Sequence, residues 1–178
     1  IARPQELALP NAQHVDVINH ALNTMTERDC YTPDILVVLL ANNGFVTTTW
    51  IDRCIEKILE DRSISSVVPV YNDQEHHPFR AKKLDEDGYL IPFVDLGSCE
   101  VSTNRQDLQP VFQLSHNFWV LNVSESIVPN NGWAPWKFMG KKVCPFEITE
   151  SFDVHTLEEL ERTEKWLRTG TNAGSRKW

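Results

Sequence analysis

The chain has 178 residues, 41% of them hydrophobic and 24% charged, the proportions of one globular domain with a real core, which exclude a fibrous or low-complexity protein. A net charge of -8 without a clustered basic stripe excludes nucleic acid as a partner, because neutralising phosphates needs a concentrated positive surface. No apolar run approaches the roughly 18 residues of a membrane span, no basic-then-apolar leader is present, and the dispersed cysteines Cys30, Cys54, Cys99 and Cys144 form no C-x-x-C pair, so no membrane partner, zinc site or disulfide framework is expected and the chain reads as cytoplasmic.

The chain opens at Ile1 without a methionine and runs straight into Ala-Arg-Pro-Gln-Glu-Leu, which reads as a fragment of something longer. Val15, Ile18, Leu22 and Met25 recur at helical spacing and predict an amphipathic helix. Asp34-Ile-Leu-Val-Val-Leu-Leu-Ala41 is a continuous apolar run after Pro33 and predicts a central strand covered on both faces. A Thr-capped helix with Ile51, Ile55, Ile58 and Leu59 follows. Ser66 to Tyr71 is the next strand, its proline favouring an edge or a strand end. Strand, helix, strand in that order implies a right-handed crossover, a parallel sheet and helices on its faces. Ligands in such sheets bind beyond the carboxyl ends of the strands, which nominates Ala41 to Phe45 and Tyr71 to Arg80.

Lys82 to Phe93 reads as two short strands around Asp85-Glu-Asp-Gly88. Phe112 to Val123 reads as a further sheet strand that Ser115, His116 and Asn117 enter. The aromatic loop Pro129 to Lys142 is either a lid or a packed Ω-loop. One domain over residues 1–169, an excursion over 81–110 and a disordered tail over 170–178 complete the plan.

The stretch Glu147 to Leu160 is the most suggestive of chemistry. A short apolar strand is expected to end at Asp153 and His155, two residues apart and on one side, immediately before a helix cap. Thr156 and Glu159 then form a Thr-x-x-Glu capping box for a helix docked through Leu157, Leu160 and Leu167. Asp153 and His155 are candidate metal ligands. The plainer alternative is a turn-capping aspartate and a satisfied polar histidine. His76 and His77 are adjacent, so their side chains diverge and form no metal pair. If the partner is an anion, Arg3, Arg80, Arg105, Lys141 and Lys142 are the cations available to meet it.

Taken in order, Arg3-Pro-Gln-Glu-Leu7, the strand ending at Ala41, Ser66-Val-Val-Pro-Val70 with Glu75-His-His-Pro-Phe79, Asn104-Arg-Gln-Asp-Leu108 and Ser151 to Leu160 resemble the CMP-sialic acid synthetase (acylneuraminate cytidylyltransferase) family. The resemblance covers Arg3 to about Leu167. It implies an α/β, Rossmann-like, GT-A-like nucleotidyltransferase fold in three layers around a mostly parallel sheet. It also implies a homodimer formed through the excursion. In that family the anomeric hydroxyl of an acidic sugar attacks the α-phosphate of CTP and pyrophosphate leaves, with Mg2+ and cationic side chains neutralising charge.

Carried over by position, Asp153 matches a metal-ligand aspartate and His155 takes the second ligand position, where the family has Asp. Imidazole suits hard magnesium poorly, so Mn2+ is an alternative. Arg3, Ala12 and His14 match the cytosine pocket, and Arg105 a substrate-facing arginine whose plainer reading is a surface pair with Asp107 or Glu100. Asn42 and Asn43 lie in the sugar-binding loop, Gln113 replaces an arginine near the sugar acid, and Ser115-His116-Asn117 replaces an Asn-Gly-Ala turn. The family's first strand and its Gly-Ser-Lys phosphate loop are missing from this sequence, so the chain alone is expected to show no transfer. Two further readings remain: a non-catalytic binding module on the same fold, and transfer to a different acceptor.

Overall fold

A computed structural model describes residues 1–98, 100–149 and 151–170. Among the described residues, three α-helices and seven strands form a mixed α/β domain. The first helix, α1 (His14–Asp29), buries Ile18 and Leu22 and closes on Cys30 in the left-handed region, whose N–H reaches the carbonyls of Met25 and Thr26. Strand β1 (Ile35–Leu39) leads to α2 (Thr48–Glu60), capped by the Thr47 hydroxyl, which accepts from the Trp50 N–H at 3.2 Å. Strands β2 (Ser66–Asn72), β3 (Lys82–Leu84), β4 (Leu90–Pro92), β5 (Phe112–Leu114), β6 (Phe118–Asn122) and β7 (Val143–Glu147) precede α3 (Leu157–Gly170).

The main sheet corrects the expected mostly parallel arrangement. Strand β6 lies between β1 and β2 and runs antiparallel to both, while β7 pairs with β2 in parallel. It follows that β1, β2 and β7 point the same way, with a reversed strand inserted between the first two. A run of apolar residues reports burial on both faces and carries no information about strand direction. The expectation for β1 needs a second correction. Its faces are covered, Leu36 and Val38 on one side and Ile35 and Val37 on the other, but among the described residues it pairs only with β6 and is therefore an edge strand.

The predicted single strand over 112–123 is two strands. Ser66 faces Leu121 and Val67 faces Val120, yet the Pro69 carbonyl already accepts from Ser115 N–H at 2.8 Å, and Val70 faces Leu114. Ser115, His116 and Asn117 thus bulge out of the strand line. The bulge explains why Pro69 sits inside a central strand, against the edge position its residue type favours. The Pro69 carbonyl faces this line, so its N–H-less nitrogen faces it too, and the missing donor falls where the ladder is interrupted.

The core lies in two layers. On the α1 side Ile18 and Leu22 meet Val68, Val70, Trp119, Leu121, Phe138 and Met139. On the α2 side Cys54 and Ile58 meet Val67, Phe118 and Val120. The α3 helix docks on this second side by a different face from the one expected. Leu157 and Leu160 are 70% and 50% exposed, while Thr163 is buried and Trp166 packs on Phe45 and Phe152 with centroids 4.6 and 4.9 Å away.

The excursion forms a separate hairpin of β3 and β4, turned by the Asp85 carboxylate, which accepts from Asp87 and Tyr89 N–H at 3.1 and 2.8 Å. The aromatic loop is packed rather than poised as a lid: Phe138 and Met139 are buried, and Gly132 donates to the Lys137 carbonyl at 2.9 Å. A Cβ at residue 132 would meet the Gly140 carbonyl at 2.3 Å, so only glycine fits there. The expected tail lies, from residue 171, outside the described residues. Among the described residues no helix is long and apolar enough to cross a membrane.

Candidate functional site

The parallel ends of β1 and β2 and the segment after β7 converge on Asp153. Its backbone forms an isolated antiparallel bridge with Asn43, and Val154 N–H donates to the Asn42 carbonyl at 2.8 Å. The carboxylate is engaged at both oxygens: Asn42 Nδ2 donates to Oδ1, and His155 Nε2 lies 3.0 Å from Oδ2. The expectation that Asp153 ends an apolar strand is corrected, since β7 stops at Glu147 and a loop delivers Asp153 to the Asn42–Asn43 turn. The capping box forms as the spacing predicts. Glu159 Oε2 accepts from the N–H groups of His155 and Thr156, both at 2.8 Å, and holds the backbone of His155 in place. Those bonds also hold the Glu159 carboxyl below its usual range.

Below this turn lies a buried polar network. Asn117, fully buried, donates from Nδ2 to the Phe45 carbonyl at 2.6 Å and accepts from the Ser115 hydroxyl. The hydroxyls of Ser115 and Ser151 lie 2.8 Å apart. The bulge therefore ties the 42–45 turn to the segment that carries Asp153. Ser115 and Asn117, expected among the substrate-binding residues, are both buried, and their side chains join these loops. Asn42 is exposed and Asn43 half-buried, with Asn43 Oδ1 accepting from Phe45 N–H at 3.2 Å.

Gln113 stands opposite Tyr71 across β5 and β2. Burial pushes the Tyr71 phenol up, and the charges of Asp73 and Asp153 push it further, which places this tyrosine in the field of both carboxylates. Arg105 lies in an open groove of about 400 Å³ with Asn72, Asp73, Gln74, Glu75 and Gln106. Its carbonyl accepts from Gln74 Nε2 at 3.2 Å. Among the described residues Arg105 forms no ion pair with Asp107 or Glu100, and Asp107 accepts from the Ser102 hydroxyl at 2.6 Å. No described contact joins Arg105 to Asp153. His76 sits on Asp73 at 2.9 Å while His77 is buried and accepts from Phe79 N–H, so the two rings diverge as their adjacency requires.

His14 is the first residue of α1, while Ala12 and Arg3 precede it, Arg3 ahead of a 3-10 turn over Gln5–Ala8; Arg3 and His14 are exposed and Ala12 is half-buried. Of the three, His14 packs against Trp119, as does His116 from the bulge. Tyr71 opens the nominated segment 71–80, whereas Ser151 and Trp119 were missed by sequence reasoning. A neighbour of Asp153 as near as Ser151 was legible in principle; Trp119 needed the sheet register.

As placed, Asp153 and His155 do not fit a magnesium site. Both oxygens of the carboxylate already have partners, imidazole nitrogen is a poor match for a hard cation, and among the described residues no group of three or more acidic, histidine or cysteine side chains converges. What the arrangement offers is an oriented carboxylate beside the exposed Asn42 and, in a separate open groove at the end of β2, one arginine.

No protein-family model matches the chain, and no curated protein matches it. Among solved structures it is similar to CMP:2-keto-3-deoxy-manno-octonic acid synthetase complexed with CTP, with a TM-score of 0.55 and 10% sequence identity over 90% of this chain and 70% of that one. At that identity the likeness establishes a shared fold.

Proposed function

We propose that this chain belongs to a cytidylyltransferase that activates an acidic sugar of the sialic or nonulosonic type. The sugar's anomeric hydroxyl forms a bond to the α-phosphorus of CTP, the bond to the β-phosphate oxygen breaks, and pyrophosphate leaves. The observation that carries this reading is the position of Asp153, Asn42 and Asn43 beyond the carboxyl ends of β1 and β2, where open α/β sheets bind ligands, on a fold shared with a CTP-bound synthetase of an acidic sugar. In this reading Arg105 meets negative charge in its groove, Asn42, Asn43 and Gln113 offer amides to the sugar, and Arg3, Ala12 and His14 line the base. Ser115 and Asn117 position the loops. We place the protein in the cytoplasm.

The β3–β4 hairpin exposes Leu84, Tyr89, Leu90 and Phe93, an apolar patch that suits a second copy, so we propose a homodimer through it. Sedimentation of Leu90→Lys against the parent chain tests this, a dimer turning to monomer being the expected result and an unchanged mass the contrary one.

Pyrophosphate release by the full-length protein with CTP and a panel of acidic sugars tests the function. Release with at least one sugar is expected; none with any would overturn it. A non-catalytic binding module is the second reading, favoured by the two internal partners that occupy Asp153.

A further inference from the structure

A groove of about 410 Å³ opens between α1 and the turn that follows β6, a volume in the range of small-ligand sites. Its α1 wall is the stripe Asn19, Leu22, Asn23 and Thr26, spaced i, i+3, i+4 and i+7 on one helix face. The facing wall is a π-helical turn over Val123–Ile127, in which Val128 N–H donates to the Val123 carbonyl at 3.1 Å. Such turns are rare and gather at functional sites. This one is firmly held: the buried Ser126 hydroxyl donates to the Asn122 carbonyl at 2.6 Å, and the buried Asn122 amide donates to the Arg62 and Ile64 carbonyls at 3.0 and 3.1 Å. Asn130, in the left-handed region at φ 42°, completes the lining.

In a chain that is 24% charged, none of the side chains lining this groove is ionisable. Leu22, Val123 and Ile127, all buried, supply an apolar floor. Around it lie the exposed carboxamides of Asn19, Asn23 and Asn130, none of which makes a side-chain hydrogen bond among the described residues, and the Thr26 and Thr32 hydroxyls, 3.1 Å apart. The groove is remote from the Asn42–Asp153 turn. Asn122, next to Val123 of the lining, pairs with Ile35 at the start of β1, whereas that turn follows Leu39 at the end of the same strand.

We propose that this groove is a second binding site, for an uncharged sugar of about one pyranose ring. The chemistry of the lining selects that class. An ion bound here would lose hydration with no opposite charge to replace it. A purely apolar molecule would strip water from the carboxamides and give them no partner. A neutral sugar satisfies both surfaces: each carboxamide sets a donor beside an acceptor, which matches two neighbouring hydroxyls, while the C–H face of the ring covers Leu22 and Ile127. Neither CTP nor an acidic sugar meets these terms, so the site differs from the Asp153 end in ligand as well as in place.

The test is an NMR titration of the chain with D-glucose, D-galactose, D-mannose and N-acetyl-D-glucosamine, each to about 100 mM, enough to fill a site with a Kd of about 1–10 mM. At least one sugar should shift the side-chain amides of Asn19, Asn23 and Asn130 along saturating curves with a common midpoint, leaving Asn104, outside the groove, in place. Asn23→Ala should raise that midpoint about fivefold, the effect of one lost hydrogen bond, while the rest of the spectrum stays that of the folded chain, since Asn23 is exposed. Should that variant fail to fold, Asn19→Ala, one turn away, carries the same expectation. D-glucuronate, a similar ring with a carboxylate, should give no saturating shift. The proposal is overturned by the absence of saturation with every neutral sugar, by shifts that Asn104 shares, by a midpoint unmoved in the variant, or by saturation with D-glucuronate. None of these readouts depends on transferase activity.

Discussion

Asn42 and Asp153 are 111 residues apart in sequence, and the amide of the first donates to a carboxylate oxygen of the second. Because His155 takes the other oxygen at 3.0 Å, the aspartate is oriented by its own chain before any ligand arrives. A double-mutant cycle of Asn42→Ala and Asp153→Ala in urea denaturation should give a coupling of about 1 kcal/mol, small because the pair is partly solvated. Strict additivity would show that the contact does not orient the carboxylate in solution.

The buried network predicts a larger effect. Asn117→Ala leaves the Phe45 carbonyl without its donor and removes one of the two side-chain partners of the Ser115 hydroxyl, and an orphaned buried group costs about 1–3 kcal/mol. A loss of about 3 kcal/mol should lower the melting temperature by roughly 6–12 °C in a domain of this size. Calorimetry showing a shift within a degree or two would mean that water substitutes freely there.

Asp61 offers a pH test away from the site. Lys142 Nζ lies 2.7 Å from its carboxylate and Ser63 donates twice more, so its carboxyl is pulled down to about 2 from 3.8. A depressed carboxyl contributes stability above the unfolded value, and that contribution is lost as the pH falls through the folded one. NMR titration of Lys142→Met should find Asp61 moved upward but still below 3.8, since the Ser63 bonds survive. A titration that stays near 2 would show that Ser63 alone sets it.

Thiol chemistry checks the α2 side of the core. Burial pushes the Cys54 thiol up to about 12, whereas Cys30 is exposed. Iodoacetamide at mildly alkaline pH should therefore modify Cys30 in the folded chain and reach Cys54 only after denaturant is added, because the thiolate is the nucleophile. Mass spectrometry that finds Cys54 labelled in the native chain would place it near solvent.

What could be read from sequence was local and periodic. The spacing of Ile18 and Leu22 gave α1 its buried face, Thr47 gave α2 its cap, and Thr156 with Glu159 gave α3 its start. Strand direction was not legible, because β1 and β6 are both plain apolar runs and only pairing reveals that they oppose each other. The bulge was hidden for a related reason: the missing donor that it accommodates, at Pro69, lies on the neighbouring strand. The docking face of α3 was misread because Leu157 and Leu160 outrank Thr163 in hydrophobicity, while the surface available beside Phe45 and Phe152 accommodates Trp166. At the site, Asp153 stood out by its spacing to His155. Its partnership with Asn42, by contrast, depended on a chain reversal more than a hundred residues long.

Turnover of CTP by the full-length protein, with and without Asp153→Ala, tests the central claim most directly. The account predicts pyrophosphate release with an acidic sugar that falls by about a hundredfold or more in the variant, the size expected when a positioned acid–base group is lost. Release that is indifferent to Asp153→Ala would contradict the site, and no release from the parent protein with any acidic sugar would contradict the function.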